Sequence, residues 1–393
     1  RNVRRMIYPT ATGIRSFWKP MIETKAILVE GIIGSGKPSL TESTLQIRRA
    51  RTNMINHGKL VAFIVTLVLV ILPVHSLAQV AASQGTVAKG EITSPALKNL
   101  IGSPTTRPYR IYLPPSYHSN LDARYPCIYY LHGYTQNNSM WANVGEVIDR
   151  IAKEARTKEM IFVLVDGWNK FGGSQYRSSP VIGDYETYIA KDLVNHIDAN
   201  YRTIAHRNSR GITGFSMGGH GSLHLALIFP ETFGAVVAQG GQYDWNSRWY
   251  RRKARRVAFA DPKSWEEFAK LEHLQQNVFS FCASLSPNTE KPPFLLDKPF
   301  RLVKGKPEMV PEIWKKHIAG DIVRRDLPRY LAQPERLNAI MIVHGVEDDV
   351  ESVHGFVKTL TDLGIDHVYN EHDGGHNWFS ELTLQFMSDN LSD

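Results

Sequence analysis

Ser216 sits in the run Gly214-Phe215-Ser216-Met217-Gly218-Gly219, between a β-rich stretch ending at Phe215 and an apolar helical stretch running to Phe229. A serine at such a strand-to-helix bend holds its hydroxyl clear of the backbone, and glycines two positions to either side let the flanking chains approach without Cβ clashes. A serine hydroxyl is a poor nucleophile near neutrality. It needs a histidine to take its proton and a carboxylate to fix that histidine's tautomer and stabilise the imidazolium. The chain offers both, in the order serine, acid, histidine. The apolar run Ile340 to Val343 leads into His344-Gly345-Val346-Glu347-Asp348-Asp349. Asp348 is the expected acid, with Asp349 and Glu347 as alternatives, and Asp349 also suits the cap of the helix that follows. Beyond it, a short strand leads into Asp373-Gly374-Gly375-His376-Asn377-Trp378, where two glycines let the loop curl back. Of fifteen histidines, His376 is therefore the expected base, while His372 and His220 read as packing or capping groups. The backbone N–H of Met217, beside the nucleophile, is expected to donate to a developing oxyanion, with a second donor from the loop after the strand at Cys127 to Leu131. Such a set would attack an acyl carbonyl and pass through an acyl-enzyme released by water. It requires no metal and no organic cofactor.

These side chains need a sheet to hold them. From Gln79 onward, apolar β-rich runs alternate with helical patterns, which predicts an α/β fold with a mostly parallel central sheet covered by helices on both faces. Strands are expected near Tyr109 to Leu113, Cys127 to Leu131, Ile161 to Val165, Gly211 to Phe215, Ala235 to Gln239, Ile340 to Val343 and His367 to Glu371. Helices are expected near Trp141 to Ala155, Glu186 to Tyr201, Gly219 to Phe229, Val353 to Leu363 and Ser380 to Leu391. The interval 243–338 breaks this rhythm with repeated prolines and reads as an insertion over the sheet, above the site.

With 42% hydrophobic and 21% charged residues, the composition is that of an ordinary globular protein. The net charge of +8 resides before residue 79; beyond it, basic and acidic side chains balance, so a nucleic-acid partner is not indicated. One basic cluster survives there, Arg248, Arg251, Arg252, Lys253, Arg255 and Arg256, and reads as a solvated helix face rather than an anion grip. Cys127 and Cys282 are too few for a disulfide framework, and their positions leave pairing open.

Residues 54–78 carry Lys59, an apolar run from Leu60 to Leu72, and Ser76-Leu77-Ala78, the pattern of a secretory signal peptide cut after Ala78. The apolar run is short of the length that spans a bilayer, so the mature chain is expected in a secreted or periplasmic setting without a stable membrane anchor. Residues 1–53 are then an upstream, non-domain segment, with translation expected to start at Met54, and 79–393 the catalytic domain. Within that upstream segment, Val29 to Ser39 looks like a phosphate-binding loop, but Pro38 replaces the magnesium-binding hydroxyl and removes a donor, so nucleotide binding is not expected.

Four segments resemble the esterase D family of α/β hydrolases: Arg110-Ile111-Tyr112-Leu113-Pro114-Pro115-Ser116-Tyr117, Tyr129-Tyr130-Leu131-His132-Gly133, Ser216 to Leu223, and Gly374-Gly375-His376-Asn377-Trp378. The resemblance covers about residues 105–392. It implies that His132-Gly133-Tyr134 is that family's His-Gly-x turn, with the Tyr134 N–H as second oxyanion donor. It also implies a small-molecule ester substrate, with modest acyl chains on aryl or sugar alcohols. Acyl transfer, glutathione thioester hydrolysis and a non-catalytic binding role are the alternatives; oligomeric state stays open.

Overall fold

A computed structural model of the chain describes residues 84–139, 144–378 and 380–393. The segment 1–53 with its loop-like run and the signal-peptide-like segment 54–78 lie outside the described residues. The central sheet has eight strands: β1 (Thr86–Thr93), β2 (Thr106–Leu113), β3 (Cys127–Leu131), β4 (Ile161–Val165), β5 (Arg210–Phe215), β6 (Ala235–Gln239), β7 (Ala339–Gly345) and β8 (Val368–His372). Their spatial order is β1-β2-β4-β3-β5-β6-β7-β8. From β4 to β8 every pairing is parallel, while β1 and β2 run antiparallel at one edge.

Burial explains which strands form where. β3, β4 and β6 read CIYYL, IFVLV and AVVAQ and are buried at every position, as central parallel strands covered on both faces must be. β1, TVAKGEIT, is an edge strand of small and charged residues with one buried side chain, Ile92. It was not expected from the sequence, and full register with β2 creates it.

The helices are α1 (Val144–Ala155), α2 (helical from Tyr185 to Asn200, with a wider π-type stretch at Tyr188–Leu193), α3 (Met217–Ile228), α4 (Arg248–Ala254), α5 (His273–Leu285), α6 (Pro311–Ala319), α7 (Val350–Asp362) and α8 (Ser380–Asn390). α3 has no exposed face up to Leu227; every residue from Met217 to Leu227 is buried, which suits a helix enclosed on all sides. Leu223, Leu225 and Leu227 are fully buried, each contributing about 1.5–3 kcal/mol of transfer energy.

The proline-broken interval between β6 and β7 folds into α4, α5, α6, shorter helical pieces and a hairpin, Phe300–Val303 with Lys306–Met309. Rings knit it together: Trp245 meets Tyr250 and Phe281, and Trp265, Phe268 and Phe294 surround Phe171 of the body. Cys127 and Cys282 are both buried and unpaired. Among the described residues no helix is long and apolar enough to cross a membrane.

Candidate active site

Ser216 occupies the bend between β5 and α3 at φ 58° and ψ −116°, a strained conformation for a non-glycine residue. Its neighbours make room for it. A Cβ on Gly218 would lie 1.9 Å from the Leu131 carbonyl oxygen, and one on Gly214 would lie 2.4 Å from the Gly218 oxygen. Strand and helix therefore meet at a distance no side chain permits. The Ser216 N–H donates to the Gln239 carbonyl (2.9 Å), and its own carbonyl accepts from the His220 N–H (3.0 Å), which opens α3.

The acid and base loops leave the ends of β7 and β8 and are joined by backbone bonds. The Val346 N–H donates to the His372 carbonyl (3.1 Å) and the Glu347 N–H to the Gly374 carbonyl (3.0 Å). Across this join, His376 Nδ1 lies 2.6 Å from Asp348 Oδ2. The second oxygen of Asp348 accepts from the Asp349 N–H (3.0 Å). Burial pushes the Asp348 carboxyl up, but the bond and charge of His376 outweigh it and hold the group below its ordinary value. Asp349 turns away and accepts from the Ser352 hydroxyl (2.5 Å), with burial raising its pKa. It stands at the cap position of α7, yet no helix N–H bonds to its side chain.

The third group is close by. The His376 ring lies 4.4 Å, centroid to centroid, from Phe215, the residue before the serine. Among the described residues no hydrogen bond joins the Ser216 hydroxyl to His376. The His376 side chain is 45% exposed, which leaves it free to adjust when a substrate fills the site. Trp378 anchors the loop, its ring 5.0 Å from that of Tyr130 in β3.

Met217 is the first residue of α3, and its N–H is one of the orphan donors of a helix start. Among the described residues no carbonyl accepts from it or from the Tyr134 N–H. The turn that carries Tyr134 is clamped: its hydroxyl donates to the Phe171 carbonyl (2.6 Å) and the Thr135 N–H to the Gly172 carbonyl (2.9 Å). His132 Nε2 accepts from the Gly167 N–H (2.9 Å), so Nδ1 carries the proton and donates to the Gly133 carbonyl (2.8 Å). Burial lowers its pKa to about 4 and keeps it neutral.

His220 is structural, as expected. Its Nε2 accepts from Arg177 Nε (3.3 Å), its Nδ1 donates to the Gln242 carbonyl (2.8 Å), and burial holds it well below the ordinary imidazole range. Sequence reasoning missed what surrounds it. His224 bridges Asp326 (2.8 Å) and Glu186 (3.0 Å), and Arg177 adds a third charge against Asp326 (3.4 Å), a buried ionic floor beneath α3. The one signal was a second histidine four residues after His220, on the same helix face. The basic cluster is a solvated face in five of its six members; Lys253 departs from this and is partly buried. A cavity of about 840 Å³ lies elsewhere, bounded by Tyr112, Glu146, Asp149, Glu159 and Phe162.

The strand order, the helices around the sheet and the strained serine after the fifth strand define an α/β hydrolase. The Esterase family model, described as "Putative esterase", matches residues 103–380, and the chain belongs to that family. A protein named endo-1,4-beta-xylanase/feruloyl esterase from Xylanibacter ruminicola is 29% identical over 143 residues, 34% of this chain and 19% of that protein. An esterase of Mycobacterium tuberculosis is 30% identical over 138 residues, 33% of this chain and 28% of that one. The chain thus matches less than two thirds of the length of these relatives. Among solved structures, a ferulic acid esterase shares the fold with a TM-score of 0.52 at 21% identity, over 78% of this chain and 99% of that one.

Proposed function

We propose that the chain is a serine carboxylesterase acting on short acyl or aryl and sugar esters. The observation that carries this reading is the 2.6 Å contact between His376 and Asp348, held at the sheet edge where Phe215 presents Ser216. Asp348 fixes the proton on Nδ1 of His376, which leaves Nε2 free to receive the serine proton. Ser216 Oγ attacks the ester carbonyl, and the oxyanion meets the N–H groups of Met217 and Tyr134. Imidazolium protonates the departing alcohol; water, deprotonated by the same ring, then releases the acid and restores Ser216. The relatives named for feruloyl esterase activity support an ester of an aromatic acid, such as methyl ferulate, as substrate. The signal-like run 54–78 supports a secreted or periplasmic enzyme.

The test is labelling by a fluorophosphonate together with release of p-nitrophenol from p-nitrophenyl acetate. Ser216→Ala should abolish both. Turnover that survives this substitution overturns the assignment.

A further inference from the structure

His344 is the penultimate residue of β7, four positions before Asp348, and its side chain is only 2% exposed. Neither of its ring nitrogens has a hydrogen-bond partner among the described residues. Among those residues Asp348 is the one carboxylate within ion-pair distance, its Oδ2 3.8 Å from His344 Nε2. That is the same oxygen that meets His376 Nδ1 at 2.6 Å, so one carboxylate oxygen lies between two imidazoles. Glu371 is the register partner of His344 on β8, but its carboxylate is engaged by His354 (2.5 Å) and the Tyr369 hydroxyl (2.9 Å). Burial lowers the His344 pKa to about 4 against the pull of Asp348, with the charges of His376, His372 and His354 adding to the drop, so the ring is uncharged near neutrality.

A neutral imidazole has one N–H and one bare nitrogen. A lone pair turned toward a carboxylate is repelled and an N–H is attracted, so the proton belongs on Nε2, facing Asp348. Buried polar nitrogens without partners weaken a fold, and a phenylalanine would fill the same space without that cost. What the histidine offers in return is a dipole aimed at the candidate acid. At 3.8 Å it attracts the carboxylate without bonding it, and an approach of about 1 Å makes a charge-assisted hydrogen bond. The Asp349 N–H secures only the other oxygen of Asp348 (3.0 Å). Without His344, the oxygen at His376 would be held by His376 alone.

We propose that His344 is a positioning residue for Asp348: its Nε2–H tethers the carboxylate oxygen that orients His376, and keeps that oxygen in line while the imidazole gains and loses the serine proton. The inference deepens the esterase reading of the site and rests on it. His344 acts through Asp348 rather than on the substrate.

The experiment measures kcat and KM for p-nitrophenyl acetate, together with urea unfolding, in His344→Phe and His344→Gln. In the phenylalanine variant kcat should fall about tenfold or more with KM unchanged, since a misplacement of about 1 Å can cost about a hundredfold. Its urea midpoint should stay at or above that of the wild type, because two unpartnered nitrogens are gone. The glutamine variant, whose amide nitrogen stands where Nε2 was, should keep kcat within about threefold of the wild type. An unchanged kcat in His344→Phe, or equal losses in the two variants, overturns the proposal. The tautomer gives a second measurement: with nitrogen-labelled histidine, long-range nitrogen–proton correlation should place the His344 proton of the wild type on Nε2, the signal being assigned by its loss in His344→Gln. A proton on Nδ1 overturns the proposal even where His344→Phe does not fold. Wild-type protein without turnover of p-nitrophenyl acetate overturns the esterase reading instead.

Discussion

His376 Nδ1 meets Asp348 Oδ2 at 2.6 Å, while the adjacent Asp349 spends its carboxylate on the Ser352 hydroxyl at 2.5 Å. Two neighbouring acids thus have separate duties, one toward the imidazole and one within its own helix.

Asp348→Asn should therefore lower kcat by about ten-thousandfold, because an amide stabilises the wrong tautomer, as in the serine protease precedent. Asp349→Asn should change kcat less than about threefold and cost about 1 kcal/mol of stability through Ser352. Steady-state kinetics on p-nitrophenyl acetate separates the two. Equal losses would mean that the pairing does not carry catalysis.

Gly218→Ala places a methyl group 1.9 Å from the backbone oxygen of Leu131, where no flexible side chain can yield. The expected cost is about 3 kcal/mol or more, at or above the usual range for overpacking. Urea unfolding measures it. A variant as stable as the wild type would show that β3 and α3 can separate freely.

Glu186 contributes a pH-dependent share of stability. Burial works to raise its pKa, but the His224 bond and the charges of His224 and Arg325 outweigh this and bring it from 4.5 to about 2. A depressed carboxyl stabilises the fold above its ordinary pKa and loses that contribution as pH falls through the folded value. The stability difference between wild type and Glu186→Gln should be on the order of 3 kcal/mol at pH 6 and shrink between pH 4.5 and 2. A difference constant from pH 6 to pH 3 contradicts this.

Export should leave a chain that begins at Gln79. N-terminal sequencing of protein secreted from a bacterial host, expressed with residues 54–78 in place, reads this directly. A blocked or retained leader removes the secretion proposal and leaves the active site untouched.

Much of the sheet was readable because burial on both faces writes itself as unbroken apolar runs. Cys127–Leu131, Ile161–Val165 and Ala235–Gln239 fall where the pattern places them. The edge strand Thr86–Thr93 was not readable, since small and charged residues there gain their conformation from pairing with β2. The placement of Ser216 at a strand-to-helix bend and of His376 in a glycine loop was legible through the local chemistry of their turns. Asp348 was the expected acid with Asp349 and Glu347 as alternatives, and it is the loop backbone that turns the Asp348 carboxylate toward His376 and leaves Asp349 to Ser352. The Arg177 and Asp326 pair, 149 positions apart, likewise belongs to packing rather than to any motif. The departure of Lys253 from its solvated neighbours follows from rings contributed by two different helices.

The two backbone bonds from Val346 to His372 and from Glu347 to Gly374 give the candidate acid and base loops a common mounting. A shift of the His376 loop toward Ser216 would therefore pull on the loop that holds Asp348. The serine, wedged at a bend that glycines alone can line, is the fixed anvil.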